Sequence, residues 1–279
     1  MSGPVRSYVE LTRPVNSLAA GLLTLIGGFV AGGLVSHSWP LGAAVLATVL
    51  ATAGGNAIND YFDREVDRIN NPERPIPRGN VDPRGALLFS SGLFAVAIAV
   101  AITLPLIAIL IALLNFFGLV AYTTLFKGRP GAGNALVAYL GGSTFLFGAA
   151  AVGSVWEGAV LFALAALSTF AREVIKDIED VEGDRSEGLR TLPIAYGTEV
   201  AYGIAVVALL SAVLASPVPY VTGLFGLPYL VVVIPADAIM IGAIYKSNAA
   251  PGVGHQWLKY GMFLAATAFI VGRVSVLVA

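Results

Sequence analysis

Cysteine is absent from all 279 residues, so disulfides, thiolate nucleophiles and cysteine-ligated metal or iron–sulfur centres are excluded. Histidine occurs only at His37 and His255, both in predicted loops, and neither is assigned a role. No serine is set among histidine and aspartate in a way that points to nucleophilic catalysis. Charge is scarce as well: 12% of residues are Asp, Glu, Lys or Arg, against about 25% in a soluble domain. With 57% hydrophobic residues the chain has too little polar surface to coat itself in water, and it reads as an all-α integral membrane protein. A net charge of −1 and the lack of a basic tract argue against nucleic acid as a partner, and nothing indicates an obligate protein partner. The opening MSGPVRSYVELTRPVNS is polar and carries no apolar signal core.

A membrane-crossing helix needs roughly 20 mostly apolar residues. Runs of that kind predict nine transmembrane helices, at 17–35, 40–62, 84–104, 105–126, 134–154, 157–178, 198–216, 220–245 and 256–278, forming one domain over 1–279. Lys and Arg concentrate in cytoplasmic loops. Counting the adjoining helix ends with their loops, only Arg273 of the 16 basic residues falls outside the N-terminus and the loops that follow even-numbered helices. The predicted topology therefore puts the N-terminus in the cytoplasm and the C-terminus outside.

The few charges that remain are not scattered. NDYFDREVDRINNPERPIP starts at residue 59, and KDIEDVEGDRSEGLRTLPI starts at 176. At an offset of 117 residues Asp60 meets Asp177, Asp63 meets Asp180, Asp67 meets Asp184, Glu65 meets Glu182 and Arg68 meets Arg185. Both copies follow an even-numbered span, so both emerge on one membrane face, and internal repeats commonly hold a site at their interface. If each helix continues through its motif, residues 60, 63 and 67 share one face, with Asn56 and Asn59 beside them, and so do 177, 180 and 184. Oxygen donors without His or Cys suit Mg²⁺, which takes one or two carboxylates, water and substrate phosphate. Two such faces opposed across a cavity, with arginines alongside, would hold metal ions and a diphosphate between them. Two other readings compete: a solvated loop that only sets topology, and an ion-coupled transporter. The DGxxAR core of a CDP-alcohol phosphotransferase is absent.

Asn59-x-x-x-Asp63-x-x-x-Asp67 and Asp180-x-x-x-Asp184, with INNPERPIP and EGDRSEGLRTLPI beside them, resemble the paired motifs of the UbiA superfamily of intramembrane prenyltransferases. LTRPVNSLAAGLLTLIGGFVAG, GNALVAYLGGSTFLFGA and AREVIKDIEDVEGD look most like the archaeal digeranylgeranylglyceryl phosphate synthases. One departure is visible: the family often shows Tyr-x-x-x-Lys after the fourth helix, whereas Tyr122 lies five residues before Lys127. The resemblance implies a nine-helix bundle around a central cavity, capped on the cytoplasmic side by Asp-rich loops after helices 2 and 6. It implies Mg²⁺-dependent transfer of a geranylgeranyl group from geranylgeranyl diphosphate to geranylgeranylglyceryl phosphate. The nearest alternative keeps the chemistry and changes the acceptor to a quinone precursor, another aromatic, a chlorin or haem.

On this reading Asp63, Asp67, Asp180 and Asp184 bind metal with support from Asn59, and Asp60 and Asp177 are further ligands or neighbours. Arg68, Arg74, Lys127, Lys176 and Arg185 are candidates for the diphosphate, with Tyr122 near them, and Arg13 with Asn16 for a phosphate on the acceptor. Phe117, Tyr139, Phe145 and Phe147 are candidates for the wall of the prenyl chamber.

Overall fold

The computed structural model describes residues 3–278, whose regular structure is all helix, with no strand among them. In chain order the helices are α1 (Pro4–Leu11), α2 (Pro14–Val30), α3 (Gly33–Ser36), α4 (Ser38–Phe62), α5 (Arg64–Asn70), α6 (Pro83–Ala101) and α7 (Leu106–Ala121). A π-helical turn (Tyr122–Phe126) follows, then α8 (Ala132–Ala151), α9 (Val155–Glu179), α10 (Val181–Ser186), α11 (Leu192–Tyr196), α12 (Thr198–Ala215), α13 (Val218–Val221), α14 (Pro228–Ser247) and α15 (Pro251–Leu277). Proline opens several of them, where its missing N–H has no helical partner to lose.

Seven of these helices are long and apolar enough to cross a membrane, or eight if α1 and α2, bent by 51° at Arg13, form one broken span. Large side chains such as Leu88, Leu214 and Val231 stand exposed along them, as lipid-facing residues do in a multi-pass membrane protein. The expected nine-span count meets a short element in α7: its 16 residues rise about 24 Å, against an apolar bilayer core of about 30 Å. The break expected at SPVPY is displaced. The helix carries on to Val221, because Pro217 and Pro219 sit where a first turn tolerates them, and the chain turns at Gly223, with φ +75°, before Pro228. His255, expected in a loop, lies inside α15.

α2 packs on α4 and α8, α8 on α9, and α9 on α12 and α15, while α14 pairs with α15 and α15 returns to α2. α2 crosses α8 closely: a side chain added at Gly148 would bring its Cβ within 1.9 Å of the Thr24 carbonyl oxygen. Separate apolar clusters lie around a central space, one holding Phe145, Tyr229 and Phe269, another Ala44, Leu104 and Phe147. A third, Leu11, Ala57, Ile76, Val81 and Ala86, sits under the first Asp motif and fixes the loop that follows it.

Candidate active site

The two Asp-rich segments, expected as loops, are short helices. α4 stops at Phe62, Asp63 takes φ −83° and ψ 1°, and α5 resumes at once. α9 stops at Glu179, Asp180 takes φ −89° and ψ 7°, and α10 resumes. The repeat is thus built into the backbone, with the same kink at positions 117 residues apart. Neither helix runs straight through its motif, so the three aspartates do not share one regular face. The chain stays hydrogen-bonded across each kink: the Asp67 N–H donates to the Asp63 carbonyl at 2.8 Å, and the Asp184 N–H to that of Asp180 at 2.9 Å.

The first motif is saturated with cations. Arg13 holds the left-handed conformation at φ 44°, the only non-glycine among the described residues with positive φ. From there its Nη2 donates to Asp60 Oδ1 at 2.5 Å. Arg74 Nη1 donates to Asp67 Oδ2 at 2.6 Å and reaches Asp60 Oδ1 at 3.4 Å. Lys127 Nζ donates to Asp63 Oδ1 at 2.6 Å, and Asn59 Nδ2 to Asp63 Oδ2 at 3.0 Å. Asp60 and Asp67 are each only 3% exposed, and charges so deep need such partners. Asn71, which sequence reasoning missed, donates to Asp67 Oδ1 at 3.0 Å.

The second motif is nearly bare. Lys176 lies 3.7 Å from Asp180, and both side chains are about half exposed. Asp177 accepts from Asn134 Nδ2 at 2.8 Å, a second amide not anticipated. Burial pushes the Asp184 carboxyl above its ordinary value; the charges of Asp180 and Glu187 add to the shift and that of Lys176 opposes it. The copies are joined directly, Asn70 Nδ2 donating to Glu187 Oε1 at 2.8 Å.

Lys127 reaches the first motif because of the π-helical turn. Its backbone N–H donates to the Tyr122 carbonyl at 2.8 Å, a bond spanning five residues rather than four. The extra residue relative to Tyr-x-x-x-Lys is absorbed there. Gly128 follows with φ +72°, its carbonyl accepting from the Arg190 N–H at 2.9 Å, which ties the lysine's loop to the second motif.

A cavity of about 830 Å³ opens beneath. Arg13, Asn16, Asn56, Asn59 and Tyr122 line its polar part, while Phe94, Phe116, Phe145, Phe147 and Phe269 line its apolar part. None of the six aspartates lines it; two sit one hydrogen bond behind residues that do, Asp63 behind Asn59 and Asp60 behind Arg13. Two of the aromatic assignments fail. Phe117 is 63% exposed and points outward, its neighbour Phe116 facing the cavity, and Tyr139 packs edge-on against Phe162 instead. Arg68 and Arg185 are exposed, Arg68 paired with Glu65 at 2.6 Å, and neither reaches the cavity. His255 stands with Nδ1 2.7 Å from Glu179 Oε2, which places the start of α15 beside the end of α9.

Among the described residues no three His, Cys, Asp or Glu converge as a metal cage. The donors are carboxylate and amide oxygens arranged in two separate sets. That suits Mg²⁺, which is held by one or two carboxylates together with water and substrate phosphate, and does not suit a cation that demands an all-protein shell.

Residues 20–267 match the model of the UbiA prenyltransferase family. The digeranylgeranylglyceryl phosphate synthase of Halobacterium salinarum is 63% identical over 96% of this chain and 98% of its own length, and that of Natronomonas pharaonis is 58% identical over 98% of each. A solved structure described as "Structural and mechanistic insights into the biosynthesis of Digeranylgeranylglyceryl phosphate synthase in membranes" superposes with a TM-score of 0.86 at 33% identity, covering 98% of this chain and 99% of that one. A UbiA homologue from Archaeoglobus fulgidus bound to GPP and Mg²⁺ has the same fold, with a TM-score of 0.74 at 20% identity over 95% of this chain and 98% of its own. The broken helices, the paired motifs and the cavity below them are therefore those of a prenyltransferase, and this chain belongs to the UbiA family.

Proposed function

We propose that the chain transfers a geranylgeranyl group from geranylgeranyl diphosphate to the free hydroxyl of geranylgeranylglyceryl phosphate, with Mg²⁺ as cofactor and diphosphate as the second product, in archaeal ether-lipid synthesis. The observation that carries this reading is a cation-rich carboxylate cradle over an apolar cavity, in a chain 63% identical to a relative named for that product. Asp63, Asp67 and Asn59 hold metal from one side, with Asp60 beside them, and Asp180 and Asp184 from the other, with Asp177 beside them. Bound there, Mg²⁺ supplies Lewis-acid stabilisation to the leaving diphosphate oxygens.

Arg74 and Lys127 pass from carboxylate to phosphate oxygens when the donor binds, as charge-assisted donors, and Lys176 joins them from the second motif. Arg13 donates to the buried Asp60 carboxylate, while Asn16 and Tyr122 line the path between cradle and chamber. Arg68 and Arg185 are left out of the set. The allylic carbon–oxygen bond breaks, and the electron pair leaves with the diphosphate. Phe145 and Phe147 line the chamber, where exclusion of water keeps the allylic cation for the acceptor. The acceptor's hydroxyl oxygen then bonds to that carbon and its proton is released.

The proposed topology has nine spans in the cell membrane, counting α2 and α7 with the seven long helices. The N-terminus and the site lie on the cytoplasmic side and the C-terminus lies outside, as the placement of Lys and Arg favours. The test is purified protein with Mg²⁺, labelled geranylgeranyl diphosphate and three acceptors: geranylgeranylglyceryl phosphate, 4-hydroxybenzoate and a dihydroxynaphthoate. The expected result is product on the first with stoichiometric pyrophosphate. Product only on an aromatic acceptor overturns the acceptor, and substrate flux into liposomes without pyrophosphate overturns the reaction.

A further inference from the structure

Three basic side chains line the cavity: Arg13, Arg172 and Lys259. Arg13 is committed to Asp60 at 2.5 Å, and Arg172 is ion-paired with Glu173. No ion pair to a carboxylate is found for Lys259 among the described residues; its ammonium lies 5.9 Å from the centre of the Phe263 ring. The lysine belongs to α15, a helix apolar enough to span a membrane, where an unmatched charge facing a cavity is a functional feature by default. An aromatic face can steady an ammonium but leaves its positive charge uncancelled.

Its depth can be read from the packing. Glu179, the last residue of α9 and the neighbour of Asp180, meets His255 on α15 at 2.7 Å. Lys259 stands four residues beyond His255, about 6 Å further along the axis. Arg172 stands seven residues before Glu179, about 10 Å away on the neighbouring helix α9. Both therefore lie between the Asp motifs and the apolar chamber. The acceptor on the proposed reading carries its phosphate on the glycerol carbon next to the one whose hydroxyl reacts. When that hydroxyl approaches the donor, a second anion is brought close to the diphosphate and needs a cation not already claimed by the metal cradle.

We infer that Lys259 binds the phosphate of the acceptor and so selects a phosphorylated lipid alcohol over a neutral one, with the Arg172 N–H groups not given to Glu173 as further donors. The inference rests on the proposed acceptor and replaces Arg13 and Asn16 as the site for that phosphate. Lys259 is a specificity-determining residue, and its test compares two acceptors, geranylgeranylglyceryl phosphate and the same molecule without phosphate, using wild type, K259Q and K259R. K259Q is expected to lower kcat/KM for the phosphorylated acceptor about 10- to 100-fold, the scale of losing a hydrogen bond to a charged group. The KM for geranylgeranyl diphosphate and the rate on the neutral acceptor should stay near wild type, and K259R should recover most of the loss. An equal fall on both acceptors, or no fall on either, overturns the assignment and leaves the proposed function standing. A wild type inert on geranylgeranylglyceryl phosphate overturns the function and this assignment with it.

Discussion

Asp67 and Asp184 occupy equivalent places in the repeat but differ in what surrounds them. Asp67 is almost fully buried and is held by Arg74 and Asn71, whereas the nearest charges to Asp184 include the like charges of Asp180 and Glu187. Asp67→Asn should therefore cost both folding and chemistry. It leaves Arg74 without its closest carboxylate, at about 3 kcal/mol, and lowers turnover by orders of magnitude. Asp184→Asn should lower turnover comparably with little change in thermal stability, since no buried cation depends on it. Melting curves in detergent and single-turnover product formation separate the two effects. Near-normal transfer by both variants would remove the motifs from the active site.

At the scale of the element, the helix break at Asp63 and Asp180 and the π-helical turn at Tyr122 are what aim the charges. Deleting Thr124 should restore a regular helical turn and the spacing Tyr-x-x-x-Lys, because a π-turn is one inserted residue, and so rotate the lysine away from Asp63. Loss of activity beyond about a hundredfold is expected; activity within about tenfold of wild type would mean that the lysine finds Asp63 without the turn. Gly148→Val tests the helix crossing, where the new Cβ meets a backbone oxygen that cannot swing away. A loss of about 3 kcal/mol, the upper end for overpacking, is expected, read as a drop in melting temperature of the micellar protein.

The paired motifs were legible in the sequence because carboxylates stand out in a chain this apolar, and their spacing repeats. Asn71 and Asn134 were not legible, since an amide carries no charge pattern and finds its carboxylate only when chain segments meet. Phe116 and Phe117 could not be told apart because one residue turns a helix by about 100°, enough to exchange cavity for lipid. The breaks were hidden for a similar reason: hydrogen bonding resumes at once on either side, and aspartate does not forbid helix.

At the scale of the molecule, the motif carboxylates lie outside the main apolar clusters, which pack the helices through side chains that bind no metal. Removing divalent cations with EDTA should abolish turnover while leaving helicity and melting temperature close to their starting values, and added Mg²⁺ should restore the rate. Turnover that persists in metal-free buffer would end the metal reading.

The Asn70–Glu187 hydrogen bond joins residues 117 positions apart, the offset of the repeat itself. That contact sets the two motifs side by side, one neutralised by Arg13, Arg74 and Lys127 and the other, with only Lys176 at 3.7 Å from Asp180, left negative. The helix break is the same at Asp63 and Asp180, and the charge around it is not. A ligand that bridges the two motifs meets a different electrostatic field at each of its ends.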